Sequence, residues 1–230
     1  MQKNFAQADY AATARQAAAE GAVLLRNHRH ALPLEKGCRV AVFGRNQLHY
    51  YRCGIGSGGM VNSAYVVSIL DALKADSDIV LNQAVLSAYE AWHEAHPLEG
   101  CNEWGEEPWS QAEMPLPEAL VQQAAKTSDA ALICIGRTAG EDHDSSAAPG
   151  SFLLTEEEER TIRLVCRYFP RSIVVLNTAG IIDMTWVKRC DPAAVLYVWH
   201  GGQEGGNGAA DVLTGRVNPC GKLPDTIAAV

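Results

Sequence analysis

A short acidic segment, Gly140-Glu141-Asp142-His143-Asp144, holds the residues of this chain that are best placed to do chemistry. It follows an apolar run at residues 130–135, which predicts a buried strand. Ligands of open α/β sheets bind at the carboxyl ends of the strands, and a glutamate held there can donate a proton. Glu141 is therefore our candidate general acid. If the loop is enclosed, burial and the neighbouring acids would raise its pKa; an ordinary solvated acidic loop is the alternative.

A glycine-rich segment, Gly54-Ile55-Gly56-Ser57-Gly58-Gly59, could bring the backbone close to a ligand or to a partner domain. It formally matches the G-x-G-x-x-G dinucleotide fingerprint, but that motif starts directly after the first strand, whereas residues 45–53 intervene here. A nucleotide-dependent oxidoreductase is therefore the less favoured alternative. Ser57 does not fit a nucleophile elbow either, because G-x-S-x-G requires glycine at the position of Ile55. A second glycine cluster, at residues 201–207, is either a turn with a helix entry or a contribution to the same cleft or domain interface as Glu141.

The composition is that of a globular protein: of 230 residues, 47% are hydrophobic and 20% are charged. This length suits a single domain spanning residues 1–230. The formal net charge of −8 disfavours nucleic acid and anionic membrane surfaces as partners. Seven cysteines, an odd number without a C-x-x-C pair, favour reduced thiols and a cytoplasmic location. No apolar run approaches the ~18 residues of a membrane span, and the start lacks the apolar core of a signal peptide.

Strands and helices alternate along the chain, and the nearly all-apolar strands predict a parallel sheet covered on both faces. The predicted fold class is α/β: a doubly wound, mostly parallel sheet with helices on both faces, forming a three-layer sandwich. A helix at residues 9–27 makes residues 1–30 a leading helix, and residues 97–117 form a long loop excursion. Thr155 is a predicted N-cap with Glu158 at the capping-box position. Strands are predicted at 39–44, 79–81, 130–135, 172–177 and 193–199, and further helices at 64–75 (capped by Asn62 or Ser63), 83–96, 118–126, 155–168 and 204–214.

Several blocks in this order resemble the α/β sandwich domain of glycoside hydrolase family 3, in particular of β-glucosidases whose domain order is reversed. The resemblance covers nearly the whole chain. Its blocks are residues 19–27 with Leu32-Pro33-Leu34, Gly44-Arg45-Asn46, Gly56-Ser57-Gly58-Gly59, Gly136-Arg137 with Gly140-Glu141-Asp142, Val174-Val175-Leu176-Asn177, residues 201–206, and Asn218-Pro219-Cys220-Gly221-Lys222-Leu223-Pro224.

The resemblance implies a retaining glycosidase that hydrolyses terminal β-D-glucosyl residues of a β-glucoside or oligosaccharide. In that mechanism Glu141 protonates the glycosidic oxygen and later activates water. Ser57 and Gly58, in the glycine loop, become candidate substrate contacts. No cofactor or metal is implied. Where relatives often continue Glu-Gly-x-Asp-Arg, this chain continues Glu141-Asp142-His143-Asp144-Ser145, so a sugar contact by that arginine is not expected.

The resemblance also implies a missing partner. In the family an Asp nucleophile lies in a TIM-like barrel domain, which the rest of the chain would supply, and the 230 residues here contain neither. Retention needs two carboxyl groups roughly 5–5.5 Å apart, so the chain is expected to be inactive as an isolated fragment. The alternative is a stand-alone, non-catalytic carbohydrate-binding or interaction module. The sequence sets no oligomeric state.

Overall fold

A computed structural model of the protein describes residues 7–59, 61–100, 106–141 and 144–227. In these residues six strands form one sheet, in the order β1-β6-β5-β4-β2-β3. Neighbouring strands are parallel except at one edge, where β1 runs antiparallel to β6. The strands are β1 (Val23–Asn27), β2 (Cys38–Phe43), β3 (Ile79–Leu81), β4 (Ala130–Arg137), β5 (Ser172–Thr178) and β6 (Ala194–Tyr197).

Helices cover both faces of this sheet. Alternate strand residues feed two apolar clusters, so that in β4 Leu132 belongs to one cluster and Ile133 to the other. The first cluster includes residues of α1 (Gln7–Gly21), α2 (Ile69–Ala75) and α7 (Gly205–Leu213). The second includes residues of α3 (Gln83–Ala95), α4 (Glu118–Thr127), α5 (Glu156–Tyr168) and α6 (Trp186–Cys190). The predicted doubly wound α/β sandwich is therefore confirmed.

The predicted leading helix is wrong in its second half. The helix ends at Gly21, and residues 23–27 form the edge strand β1, in which Val23 pairs with Tyr197 and Asn27 with Ala194. A short apolar run fits a strand as well as a helix, and here the exposed edge of β6 offers backbone partners that a longer helix could not use. The leading helix therefore covers Gln7–Gly21 of the described residues, and residues 23–27 belong to the sheet.

The second predicted helix begins later than its sequence suggests. Ser68, and neither Asn62 nor Ser63, caps α2: its hydroxyl accepts from the Asp71 N–H while the Asp71 carboxylate accepts from the Ser68 N–H. The preceding segment is bound elsewhere, since Val67 donates its N–H to the Gln203 carbonyl at 2.9 Å. The other predicted cap is confirmed, with Thr155 and Glu158 forming a capping box at the start of α5. The short helix α6 was not predicted.

The long excursion has no helix or strand in its described parts, 97–100 and 106–117. Its anchor is the enclosed carboxyl group of Glu113, which accepts the N–H groups of Arg45 and Met114, both at 2.8 Å. Burial is the main cause that raises the pKa of Glu113 to about 7. Arg45 in turn donates to the carbonyl of Ala112 at 3.0 Å. The end of the excursion is therefore fixed to the start of the loop after β2.

The stability of the protein is expected to fall as Glu113 ionises. Because its folded-state pKa of about 7 lies above the usual 4.5, the folded state binds this proton more tightly than the unfolded chain. Its contribution to the free energy of unfolding is therefore greatest below about pH 4.5 and declines toward pH 7, by on the order of 3 kcal/mol. Urea unfolding of the parent chain and of Glu113→Gln at pH 5 and pH 8 measures this, and the variant should show the flatter profile. Glu106→Gln, an exposed position in the same loop, is the control; parallel profiles for parent and Glu113→Gln would contradict the assignment.

Candidate functional site

Glu141 lies on the loop that leaves the carboxyl end of β4. All eight residues of that strand are buried, whereas Glu141 is exposed. The strand lies near the middle of the sheet, between β5 and β2, so it fixes where the loop begins. The structure therefore places Glu141 where the sequence predicts it, on the loop after a buried strand. Asp142 and His143 lie outside the described residues.

The glycine loop lies directly against the loop that carries Glu141. Ile55 donates its N–H to the carbonyl of Ala139 at 2.6 Å and forms a parallel bridge with Gly140. Ser57 then donates both its N–H, at 3.1 Å, and its hydroxyl, at 2.8 Å, to Oε2 of Glu141. The structure therefore brings Ser57 and Glu141 together, with exposed Gly58 as the next residue along.

The two donors of Ser57 set the charge state of Glu141 in this domain. Hydrogen bonds from the backbone N–H and then the hydroxyl of Ser57 favour the carboxylate and lower the pKa of Glu141. Because Glu141 is exposed, the opposing effect of burial, which raises the pKa, is smaller than that of the two hydrogen bonds. A proton donor at neutral pH needs a raised pKa instead, and none of the contacts described for Glu141 raises it enough.

Gly56 permits the close approach of the two loops. Its φ of +91° belongs to the region that favours glycine, and a Cβ there would lie 2.7 Å from Cβ of Glu141. Gly58 differs in both respects, since its φ lies outside the region that favours glycine and a Cβ there would meet nothing within 4 Å. The loop therefore needs glycine at position 56 for its own geometry and not at position 58.

Gly56→Ala is expected to lower the free energy of unfolding by about 1–3 kcal/mol, because alanine is strained at this φ and collides with Glu141. Gly58→Ala is the matched control and should change stability by no more than about 0.5 kcal/mol. Equilibrium urea unfolding of the two variants checks this. Equal effects of the two substitutions would show that the described contact of Gly56 with Glu141 does not shape the loop.

The other side of the acid loop is held by a buried ion pair that the sequence did not indicate. Arg137, the last residue of β4, donates from Nη1 and Nη2 to the two carboxylate oxygens of Glu158, at 2.6 and 2.7 Å. Its Nε donates to the carbonyl of Ser151 at 2.8 Å, beyond the loop. Arg137 and Glu158 are 2% and 4% exposed, so water solvates neither charge and each is stabilised by its partner. The capping box accounts for Glu158 from the local sequence alone, and no local feature of the sequence indicates its second role as the partner of Arg137.

In the second glycine cluster, the space beside Gly201 and Gly205 is occupied by the side chain of Tyr50. Gly201 donates its N–H to Oη of Tyr50 at 2.9 Å, and a Cβ on Gly205 would overlap that hydroxyl. Burial raises the pKa of Tyr50 to about 12. A short 3-10 turn at Gly202–Glu204 leads directly into α7. These contacts favour the interpretation of residues 201–207 as a turn and helix entry over a contribution to the cleft.

Other ligand sites find little support in the described residues. Within them, no group of three or more His, Cys, Asp or Glu side chains is arranged to hold a metal ion. A Cβ on Gly54 would overlap the Ala139 carbonyl, so the space that a dinucleotide fingerprint keeps for a pyrophosphate is occupied here by the acid loop. None of the helices described is long and apolar enough to cross a membrane.

Comparisons with known proteins give a consistent result. The sequence matches the glycosyl hydrolase family 3 C-terminal domain over residues 22–230. A β-glucosidase of Ruminococcus albus is 50% identical over 220 residues, which cover 96% of this chain and 23% of that protein. A solved β-glucosidase from Paenibacillus barengoltzii superposes with a TM-score of 0.93 at 46% identity, covering 96% of this chain and 24% of that one. β-Glucosidase 3B from Thermotoga neapolitana, in complex with glucose, superposes at 0.84 with 34% identity, covering 96% and 31% respectively.

These similarities extend over nearly all of the chain, which spans roughly a quarter to a third of the relatives' own length. The two solved relatives share its α/β sandwich, and their identities of 46% and 34% show relatedness in sequence as well as in fold. The chain therefore belongs to glycosyl hydrolase family 3, to its C-terminal domain.

Proposed function

We propose that this chain is the acid/base-contributing domain of a retaining β-glucosidase that hydrolyses terminal β-D-glucosyl residues. The observation that carries the proposal is the exposed carboxylate of Glu141 at the sheet edge, oriented by two hydrogen bonds from Ser57. Support also comes from the relatives, which are β-glucosidases. A carboxyl group on a loop that is anchored to a strand end can protonate a leaving-group oxygen and then activate water from the same position.

Glu141 supplies one of the two carboxyl groups that a retaining mechanism needs. The nucleophile would come from a TIM-like barrel domain elsewhere in the full-length protein, docked on the face that carries Glu141, Ser57 and Gly58. Ser57 would then orient the acid, and its exposed backbone together with Gly58 would contact the substrate. The β-glucoside would be enclosed between the two domains, each of which forms one wall of the site.

The isolated 230-residue chain is expected to fold but not to hydrolyse an aryl β-glucoside, whereas the full-length protein should hydrolyse it. The reason is that proton donation without a nucleophile cannot form the covalent intermediate. Circular dichroism of the chain establishes that any inactivity is not due to unfolding. Robust turnover by the folded chain alone would refute a divided site. A full-length protein without glycosidase activity would favour the alternative of a non-catalytic binding module.

A further inference from the structure

A half-buried histidine lies between the two loops that form the candidate site. His200 follows β6, and its Nε2 lies 2.8 Å from the backbone carbonyl of Arg137, at the end of β4. Since a carbonyl can only accept, Nε2 carries the hydrogen. Burial is the main cause that lowers the pKa of His200, which keeps the ring neutral at pH 7 with its proton available for this bond. Arg137 is four residues before Glu141, so His200 holds the start of the acid loop.

The other contact of His200 reaches the start of the glycine loop. Its ring stacks on that of Tyr51, with the ring centroids 6.1 Å apart and the planes 27° apart. The ring of His49 meets Tyr51 edge-on from another side, at 4.7 Å. Tyr51 is six residues before Ser57. The imidazole of His200 therefore contacts both segments. Its Nε2 bonds the start of the loop that carries Glu141, and its ring face stacks on the segment that leads to Ser57.

The backbone around this ring is fixed by Asn177. Its Oδ1 accepts the N–H of Tyr51 at 2.8 Å, and its Nδ2 donates to the carbonyls of Tyr51 at 3.0 Å and of Trp199 at 2.6 Å. Asn177 is fully buried. The amide thus fixes the carbonyl of Trp199, the residue before His200, and the backbone of Tyr51, on which the His200 ring stacks. With both flanks fixed, the ring of His200 cannot move without moving Arg137 or Tyr51.

We propose that His200 is a positioning residue for the candidate acid, setting the distance between the loop of Glu141 and the loop of Ser57. Its effect on catalysis rests on the proposed function, but its effect on the geometry of Glu141 does not. The hydrogen bonds from Ser57 that orient Glu141 persist only while the two loops keep their spacing, which their bases at Arg137 and Tyr51 determine.

Two substitutions separate the donor of His200 from its ring. His200→Phe keeps an aromatic face for Tyr51 but leaves the Arg137 carbonyl without its donor, whereas His200→Gln keeps an N–H near the position of Nε2 and loses the ring. We measure the carboxyl pKa of Glu141 in each by carbon-13 NMR titration of the 230-residue chain. In His200→Phe the pKa should rise toward that of an ordinary glutamate, because the acid loop loses its tie to position 200 and the Ser57 donors move away. In His200→Gln it should stay low, because the donor to Arg137 is kept and Asn177 still holds the backbone of Tyr51. Ser57→Ala, which removes one donor directly, is the positive control.

A matched negative control is His96→Phe. The Nδ1 of His96 also lies 2.8 Å from a backbone carbonyl, that of Trp92, and its ring is also stacked on an aromatic ring, that of Trp92. These contacts are at the C-terminal end of helix α3 and involve neither Arg137 nor Tyr51. It should leave the pKa of Glu141 unchanged. A folded His200→Phe with an unchanged Glu141 pKa would overturn the proposal, and so would His200→Gln shifting it as far as His200→Phe. If His200→Phe does not fold, His200→Asn replaces it, since its shorter amide does not reach Arg137.

In the full-length enzyme the same variants should differ in kcat. His200→Phe is expected to lose about 10- to 100-fold in kcat for a poor leaving group with little change in KM, and His200→Gln to recover most of it. The NMR measurement does not depend on any glycosidase activity. An inactive full-length protein would therefore refute the proposed function, while an unmoved Glu141 pKa would refute the role of His200.

Discussion

Glu141→Gln in the full-length enzyme is expected to slow hydrolysis of alkyl β-glucosides by about 10²- to 10⁴-fold, the usual contribution of a general acid. Glutamine keeps the size of the side chain and can still accept from Ser57, but it has no proton to give to the departing oxygen. An alkoxide must be protonated as it leaves, whereas a nitrophenolate leaves readily without a proton. The loss should therefore shrink as the leaving group improves, and a plot of log kcat/KM against leaving-group pKa measures it.

The matched control for this experiment is Asp144→Asn, which removes another exposed acid of the same loop. It should leave the leaving-group dependence as it is in the parent enzyme, because Asp144 has no proposed contact with the departing oxygen. Equal losses in Glu141→Gln for good and poor leaving groups would count against the acid role and would indicate a binding defect instead.

The lowered pKa of Glu141 in this domain is compatible with an acid role only if the complete site raises it. Ser57 favours the ionised form, so the domain by itself supplies orientation but not protonation. A nucleophilic carboxylate roughly 5–5.5 Å away would oppose ionisation and raise the pKa, as would exclusion of water between the two domains. We therefore expect a higher Glu141 pKa in the full-length enzyme than in the isolated chain.

The central strands were predictable because each carries its own signal. Residues 130–135 are apolar without interruption, and in an alternation of strands and helices that pattern is typical of a strand buried on both faces. The edge strand β1 has no such signal, because Val23–Asn27 becomes a strand through its partner β6, which lies far away in sequence. The late start of α2 has the same cause: Val67 is bound to Gln203, which keeps the segment before Ser68 extended.

The candidate site was predictable in its position and not in its connections. Glu141 was expected at the sheet edge because it follows a buried strand. The resemblance made Ser57 a substrate contact, but its bonds to Glu141 join residues 84 positions apart and leave no local trace. Glu158 had a sufficient local explanation as part of a capping box. The structure shows that its Oε2 also accepts from Arg137, at 2.7 Å, while it accepts the N–H of Thr155, at 2.8 Å.

Arg137→Met is expected to lower the free energy of unfolding by about 3–5 kcal/mol, because it leaves the carboxylate of Glu158 buried without its counter-charge. The matched control is Arg160→Met, which breaks the ion pair with Glu157 one turn away on α5. That pair is exposed, at 46% and 38%, and its loss should cost no more than about 0.5 kcal/mol. Urea unfolding at pH 7 compares the two, and similar costs would contradict the importance assigned to burial.

The double variant Arg137→Met with Glu158→Gln separates stability from the geometry of the site. Glutamine needs no counter-charge and can still accept the N–H of Thr155, so part of the lost stability should return. The donors to the carbonyls of Ser151 and Leu153 stay absent, and these bonds tie the far side of the acid loop to the end of β4. We expect Arg137→Met to lower kcat of the full-length enzyme as well as its stability. The double variant should therefore be more stable than Arg137→Met but should have a similarly low kcat. Joint recovery of both would mean that Arg137 stabilises the domain without positioning Glu141.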